Sequence, residues 1–276
     1  MKKIGFIDYY ISEWHANNYP VWIKEVSSEM GEDFSVCYAY AERDISAVDG
    51  VCTDDWCKKM GVERCESISE LCEKSDFVVI LAPSNPERHL ELCAEAFKYG
   101  KPTYVDKTFA PDGETAEKIF ALGKEYGTRF FSTSALRFAD ELAELSAPDA
   151  LTVTGTGSNF EEYFIHIAEM CVRLMGKDIS AVSATPVGKE QTAVTVEFAS
   201  GKRANLAFGA GLPYAVCAEC GGNGAYKKIE SKFFLNLIRE ILKFFISGEM
   251  PFDPEETLAV ARLREMAIRE RQAKLA

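Results

Sequence analysis

Lys107 closes a short run, Thr103-Tyr104-Val105-Asp106, that reads as a strand. A lysine at a strand's carboxyl end faces the crevice of an α/β sheet, can hydrogen-bond a substrate oxygen, and can be tuned by desolvation to move a hydroxyl proton. The plain alternative is a solvated strand-end lysine. His166 and Glu162 lie four apart in the helical stretch 160–175 and so share one face. There the carboxylate can orient or charge the imidazole while the other ring nitrogen meets substrate, completing a proton relay with Lys107. A histidine on an apolar helix can also be a packed core residue. Of the other two histidines, His89 opens a helix, where it either positions a cofactor or caps the helix, and His15 caps or packs at the first helix. Pro83, Ser84 and Asn85 form a loop suited to touch a ribose or phosphate, and equally suited to make a turn.

The elements that must carry these residues alternate in type. Strands are expected at 3–7, 34–40, 76–82, 103–106 and 128–132, with helices at 14–30 (despite Pro20), 89–98 and 113–126. Such alternation implies βαβ units, hence a doubly wound parallel sheet of Rossmann type whose ligand crevice lies beyond the strands' carboxyl ends. The loops after Ile7, Tyr40, Ala82, Val105 and Ser132 therefore line one rim. From about residue 150 short β-rich runs follow at 151–155, 181–187, 192–199, 203–209 and 214–220, which make an open, mostly antiparallel sheet. A helix at 160–175 and two amphipathic helices, at 231–246 and 254–272, cover one of its faces. The expected domains are 1–136, dinucleotide-binding-like, and 137–276, an α+β substrate and oligomerisation domain.

At 276 residues the chain is long enough for two modest cores, and 47% hydrophobic with 27% charged residues is ordinary for a globular protein. Lys plus Arg number 31 against 43 Asp plus Glu, 31 − 43 = −12, with no basic stripe, so nucleic acid is not an expected partner. No apolar run reaches the roughly 18 residues of a membrane span. Asp8 interrupts the N-terminal apolar run before a signal-peptide core could form, and a cytoplasmic location is expected. Nine cysteines, an odd and scattered set, argue for reduced thiols. The close pair Cys217 and Cys220 falls in a strand, where an offset of three points the side chains to opposite faces. No metal is expected.

Several local motifs resemble the Gfo/Idh/MocA oxidoreductases, typified by glucose-fructose oxidoreductase and inositol dehydrogenase, and the resemblance spans nearly the whole chain. Its most specific stretch is 76–109: a strand ending Ala82-Pro83-Ser84-Asn85, then His89, a helix, Gly100-Lys101-Pro102, and a strand delivering Asp106-Lys107-Thr108, where the family usually has Glu-Lys-Pro. Glu162-Tyr163-Phe164-Ile165-His166-Ile167-Ala168-Glu169 is similar to the family's Asp-x-Gly-x-His-x-x-Asp, with Phe164 in place of the glycine. Gly221 to Tyr226 looks like the family's late glycine turn. The resemblance implies an NAD- or NADP-dependent oxidoreductase acting on a CH–OH group of a sugar, cyclitol or related polyol. It implies Lys107, His166 and Glu162 as catalytic residues, and a homo-oligomer, dimer or tetramer.

The expected cofactor contacts are Asp8, Tyr10, Ile11, Glu42, Pro83, Ser84, Asn85, His89 and Asp106, with Glu42 in the place of the acid that holds the adenosine ribose. The first strand–helix turn departs from the dinucleotide pattern. Its three glycine places fall on Asp8, Tyr10 and Glu13, which bring two carboxylates and a bulky ring where backbone should approach pyrophosphate. The loop between the strand at 151–155 and the helix at 160–175 is also short, which predicts an open site or one closed by a neighbouring subunit. A second expectation therefore stands beside the first: a non-catalytic small-molecule-binding or regulatory protein of the same fold that has lost standard NAD binding.

Overall fold

The computed structural model describes residues 1–145, 147–188 and 191–276. They form two compact units, each discontinuous in sequence. The first comprises Met1–Ala110, Glu114–Ser132 and Leu237–Pro251, the second Pro111–Gly113, Thr133–Asn236 and Phe252–Ala276.

In the first unit the order is β1 (Lys2–Asp8), α1 (Trp14–Glu29), β2 (Phe34–Ala41), α2 (Thr53–Met60), β3 (Glu63–Arg64), α3 (Ile68–Lys74), β4 (Phe77–Ile80), α4 (His89–Ala96), β5 (Thr103–Val105), α5 (Gly113–Tyr126) and β6 (Phe130–Ser132). All pairings are parallel and the sheet runs β3-β2-β1-β4-β5-β6. The chain winds outward from β1, then returns to β4 on its other side, so the topological switch lies between the carboxyl ends of β1 and β4. Gly5 makes room in β1 for α3: a Cβ there would lie 2.4 Å from Leu71 Cδ2 and Ser75 Oγ.

The stretch 42–75, for which the sequence reading assigned no element, holds α2, β3 and α3. Its helices are short and start and stop on local chemistry. Asp54 and Asp55 lie in the first turn of α2, Lys58 and Lys59 in its last, and Gly61 ends it at φ +69°. Ser67 caps α3 by accepting from Glu70 N at 3.1 Å. Trp56, wholly buried, anchors α2 and donates its indole N–H to Asn17 Oδ1 at 2.8 Å.

The second unit contains α6 (Asp140–Ala143), β7 (Ala150–Gly155), α7 (Phe160–Met175), β8 (Ile179–Pro186), β9 (Thr192–Phe198), β10 (Arg203–Phe208), β11 (Ala215–Cys220) and β12 (Asn223–Lys228). The sheet order is β12-β11-β7-β10-β9-β8, antiparallel except for β7 with β10. Within the expected glycine turn at 221–226, Gly221 and Gly222 make the turn, and Asn223–Lys228 pairs back on β11 as a strand that the sequence reading did not assign. Two helices follow, α8 (Phe233–Ser247) and α9 (Pro254–Ala273). In β9 alternate residues are buried; these face a core shared with α7 and α9, which includes Val194, Val196, Leu206, Phe164, Ile167 and Leu263. From Leu237 onward α8 belongs to the first unit, where Phe245 stacks on Phe77 at 4.7 Å and Phe244 meets Phe131 edge-on at 5.2 Å.

Candidate active site

At the carboxyl end of β1 the chain supplies carboxylates where the parallel-sheet geometry would leave backbone donors open. Asp8 is 1% exposed, and its Oδ1 accepts from Tyr9 N at 2.7 Å and from Ala82 N at 3.0 Å. Ala82 sits at φ +58°, a left-handed conformation costly for a residue with a Cβ, and the Asp8 bond helps to hold it. Burial, and then the nearby Glu13 carboxylate, push the Asp8 carboxyl well above the usual range. Its Oδ2 is buried with no hydrogen-bond partner among the described residues.

Glu13 caps α1. Its carboxylate accepts from His15 N at 2.8 Å and from Ala16 N, two of the donors that a helix start leaves unmatched. The turn between β1 and α1 is also pinned from outside: Ser12 Oγ donates to Asp49 at 2.8 Å and Ser46 Oγ donates to Ser12 O at 2.6 Å. His15 Nδ1 lies 3.1 Å from Asp106 Oδ2 and 3.5 Å from Glu13 Oε2. Asp106, at the end of β5, accepts on Oδ1 from Lys107 N at 2.9 Å, Tyr104 OH at 3.1 Å and Tyr19 OH at 3.4 Å. Asp8, Glu13, His15 and Asp106 thus form one buried group. Among the described residues no three His, Cys, Asp or Glu side chains are arranged to hold a metal ion, these included.

Lys107 follows Asp106 and is 9% exposed; its Nζ lies 3.5 Å from Pro83 O, and its peptide bond to Thr108 is cis. Sequence reasoning placed Lys107, Pro83, Asp106 and Asp8 on one rim, and the structure brings them together at the ends of β1, β4 and β5. Ile11 is buried, Tyr10 half-buried beside Tyr9 with ring centroids 5.7 Å apart, and Ser84 exposed. Asn85 donates to Glu87 at 3.0 Å.

Two expected cofactor contacts have partners of their own. Glu42 Oε1 and Oε2 accept a fork from Arg88, at 2.7 and 3.0 Å. His89 is wholly buried, with Nδ1 2.9 Å from Phe109 O and Nε2 against Leu81 O. Burial pushes its pKa down although both carbonyls favour a proton on the ring. Both nitrogens are occupied by main chain, and the side chain ties the strand-end loops together.

In the second unit His166 lies half-buried on α7, its Nδ1 2.7 Å from Ser134 Oγ and its ring near those of Tyr163 and Tyr214. Glu162 is the third residue of α7. Its N–H donates to the capping Asn159 Oδ1 at 2.7 Å and its carboxylate accepts from Asn159 Nδ2 at 3.2 Å, a reciprocal cap. Glu169, one turn beyond His166 on α7 and 2% exposed, binds Arg137 Nε and accepts from Ser134 N at 3.2 Å. Arg137 also meets Glu256 at 2.7 Å. Glu169 therefore fixes the turn that presents Ser134 to His166. Ser134 carried no motif in the sequence and went unnoticed; only the fold brings it to the helix. The cysteines are all free. Burial pushes Cys57 and Cys65 up to about 11 and Cys72 and Cys171 up to about 12, which leaves these four as unreactive core thiols.

By sequence, no family model and no curated protein matches the chain. Solved structures do match it over nearly its full length. A myo-inositol dehydrogenase from Corynebacterium glutamicum superposes with a TM-score of 0.77 at 14% identity, covering 99% of this chain and 97% of that one. UDP-N-acetylglucosamine 3-dehydrogenase from Acidithiobacillus ferrooxidans gives 0.79 at 13% identity, covering 100% and 99%. GenD2 from gentamicin A biosynthesis, solved in complex with NAD, gives 0.77 at 14% identity, covering 98% and 94%. The chain shares the fold of these dehydrogenases.

A dinucleotide in the standard Rossmann pose needs open backbone donors at the start of α1 and close approach of the β1–α1 turn to pyrophosphate. The residues present do not fit that half of the cofactor. His15 N and Ala16 N are taken by Glu13, Tyr9 N and Ala82 N by Asp8.

Proposed function

We propose that this chain is an oxidoreductase acting on a CH–OH group of a sugar, cyclitol or related polyol, with a nicotinamide cofactor, NAD or NADP. The observation that carries the reading is the full-length match to dehydrogenases of this fold, together with Lys107 at the carboxyl end of β5, next to the buried group that includes Asp106. In this reading Lys107 Nζ hydrogen-bonds the substrate oxygen and holds or releases its proton. His166, its ring oriented by Ser134, and Glu162, which also caps the helix that carries both, are the second unit's contribution to catalysis. Asp106 fixes the backbone at Lys107 through the 2.9 Å bond to Lys107 N. The reading places the protein in the cytoplasm, supported by nine cysteines that are all free. It makes the protein a homo-oligomer, dimer or tetramer, supported by the small exposed residues Ala181, Ser183, Ala193 and Cys217 on the sheet face of the second unit turned away from its core.

Turnover of a panel of cyclitols, aldoses and nucleotide sugars, followed as reduction of NAD or NADP, tests this reading. One chemical class is expected to react, and Lys107→Met is expected to lower kcat about 10²- to 10⁴-fold. Absence of turnover with every polyol, in both directions, contradicts it. A second reading is favoured by one observation, the Glu13 cap on α1: a protein of the same fold that binds a hydroxylated small molecule without a dinucleotide. Saturable polyol binding without turnover or nicotinamide binding is its signature.

A further inference from the structure

The β1–α1 turn carries its own anion. In dinucleotide-binding sheets the start of the first helix offers unmatched N–H groups and the positive end of the helix dipole, and phosphate oxygens accept from them. Here the sixteen residues of α1 begin at Trp14, and the Glu13 carboxylate already accepts from the N–H groups of His15 and Ala16. Across the switch point Asp8 occupies the N–H groups of Tyr9 and Ala82. Both acids are more than nine-tenths buried, so neither is a surface charge that swings away at no cost. Ser12, between Tyr10 and Glu13, is tied on both sides by Asp49 and Ser46, which holds the turn in this shape.

We propose that Glu13 is a built-in stand-in for the cofactor phosphate at the N-terminus of α1, so that this turn does not receive a dinucleotide pyrophosphate and any cofactor is gripped through its other groups. Three features support the assignment. The His15 and Ala16 donors are satisfied, so an incoming phosphate gains no hydrogen bond from them without expelling the carboxylate. The Glu13 carboxylate stands at the helix start itself, where it repels a dianionic group. Glu13 and Asp8 also stand on two of the three places where glycine would give backbone access, Tyr10 on the other. The inference goes beyond the oxidoreductase reading, since it concerns how a cofactor is held rather than whether a polyol is oxidised.

The test separates the pyrophosphate-bearing part of the cofactor from the nicotinamide part. Binding of ADP-ribose and of nicotinamide mononucleotide is measured by calorimetry on the full chain and on Glu13→Gly, with the amide resonances of Tyr9, His15, Ala16 and Ala82 followed by NMR in the wild type. ADP-ribose is expected to bind Glu13→Gly at least about tenfold tighter than the wild type, the loss expected when a unit charge stands close to a phosphate. In the wild type, millimolar ADP-ribose is expected to leave those four amides unmoved. Equal affinity for the two proteins, or wild-type shifts of the His15 and Ala16 amides on saturation with ADP-ribose, overturns the proposal. Should Glu13→Gly not fold, the wild-type NMR titration decides alone. These outcomes are independent of polyol turnover: an active enzyme whose His15 and Ala16 amides shift with ADP-ribose refutes the phosphate stand-in and leaves the oxidoreductase reading intact, and an inactive one without such shifts does the reverse.

Discussion

Asp8 is the residue whose chemistry departs most from its type. Burial and the Glu13 carboxylate raise its pKa well above the carboxylate range, so the folded chain holds a proton that the unfolded chain releases. Because the folded value is the higher one, the Asp8 contribution to stability is complete below the unfolded carboxylate pKa of about 3.9 and declines as pH rises toward the folded value. Asn at this position keeps a carbonyl to accept from Tyr9 N and Ala82 N and cannot ionise. Denaturant unfolding across pH is expected to show wild-type stability falling relative to Asp8→Asn from about pH 4 upward; a difference that stays flat would refute the protonated state. At this scale the sequence showed that Asp8 and Glu13 stand where glycines belong, but not what they do there. Their bonds to Ala82, His15 and Ala16 depend on the path of the turn, and no motif encodes that path.

Elements were legible in proportion to their length and apolar pattern. The helix of α1 survives Pro20 because its buried face, His15, Ala16, Tyr19, Ile23 and Val26, is anchored to the sheet. β3 is two residues long, Glu63–Arg64, and shows no alternation to read; it pairs with β2 only because α2 and α3 deliver it there. β12 was hidden by Gly224 and by the two glycines that precede it, Gly221 and Gly222. The contacts that seat α7, and with it His166, were equally invisible in the sequence. Gly155 ends β7, and a Cβ there would fall 2.3 Å from Ile167 Cγ2 and 2.7 Å from the Tyr214 ring. Gly155→Ala is expected to lower stability by about 1–3 kcal/mol, the usual penalty for overpacking a close contact, measured by thermal or denaturant unfolding. A change within about 0.5 kcal/mol would show that α7 shifts without penalty.

For the whole molecule, architecture was the most legible level. Alternating strands and helices followed by short β runs are enough to specify a doubly wound sheet and then a mostly antiparallel one, because crossovers and layer packing leave few alternatives. Site chemistry was less legible. Lys107 and Asp106 could be read as following a strand, β5, whereas the Arg88 fork on Glu42, the two carbonyls on His89 and the Ser134 contact to His166 all join residues distant in sequence. A thermal-shift titration of the unmodified chain with NAD, NADH, NADP and NADPH bears most directly on the nicotinamide-dependent reading. Ligand that binds only the folded state stabilises it by RT ln(1 + [L]/Kd), about 2.7 kcal/mol at a hundredfold excess over Kd. A rise in Tm with at least one of the four forms is the predicted result; no rise with any of them at millimolar concentration would contradict it.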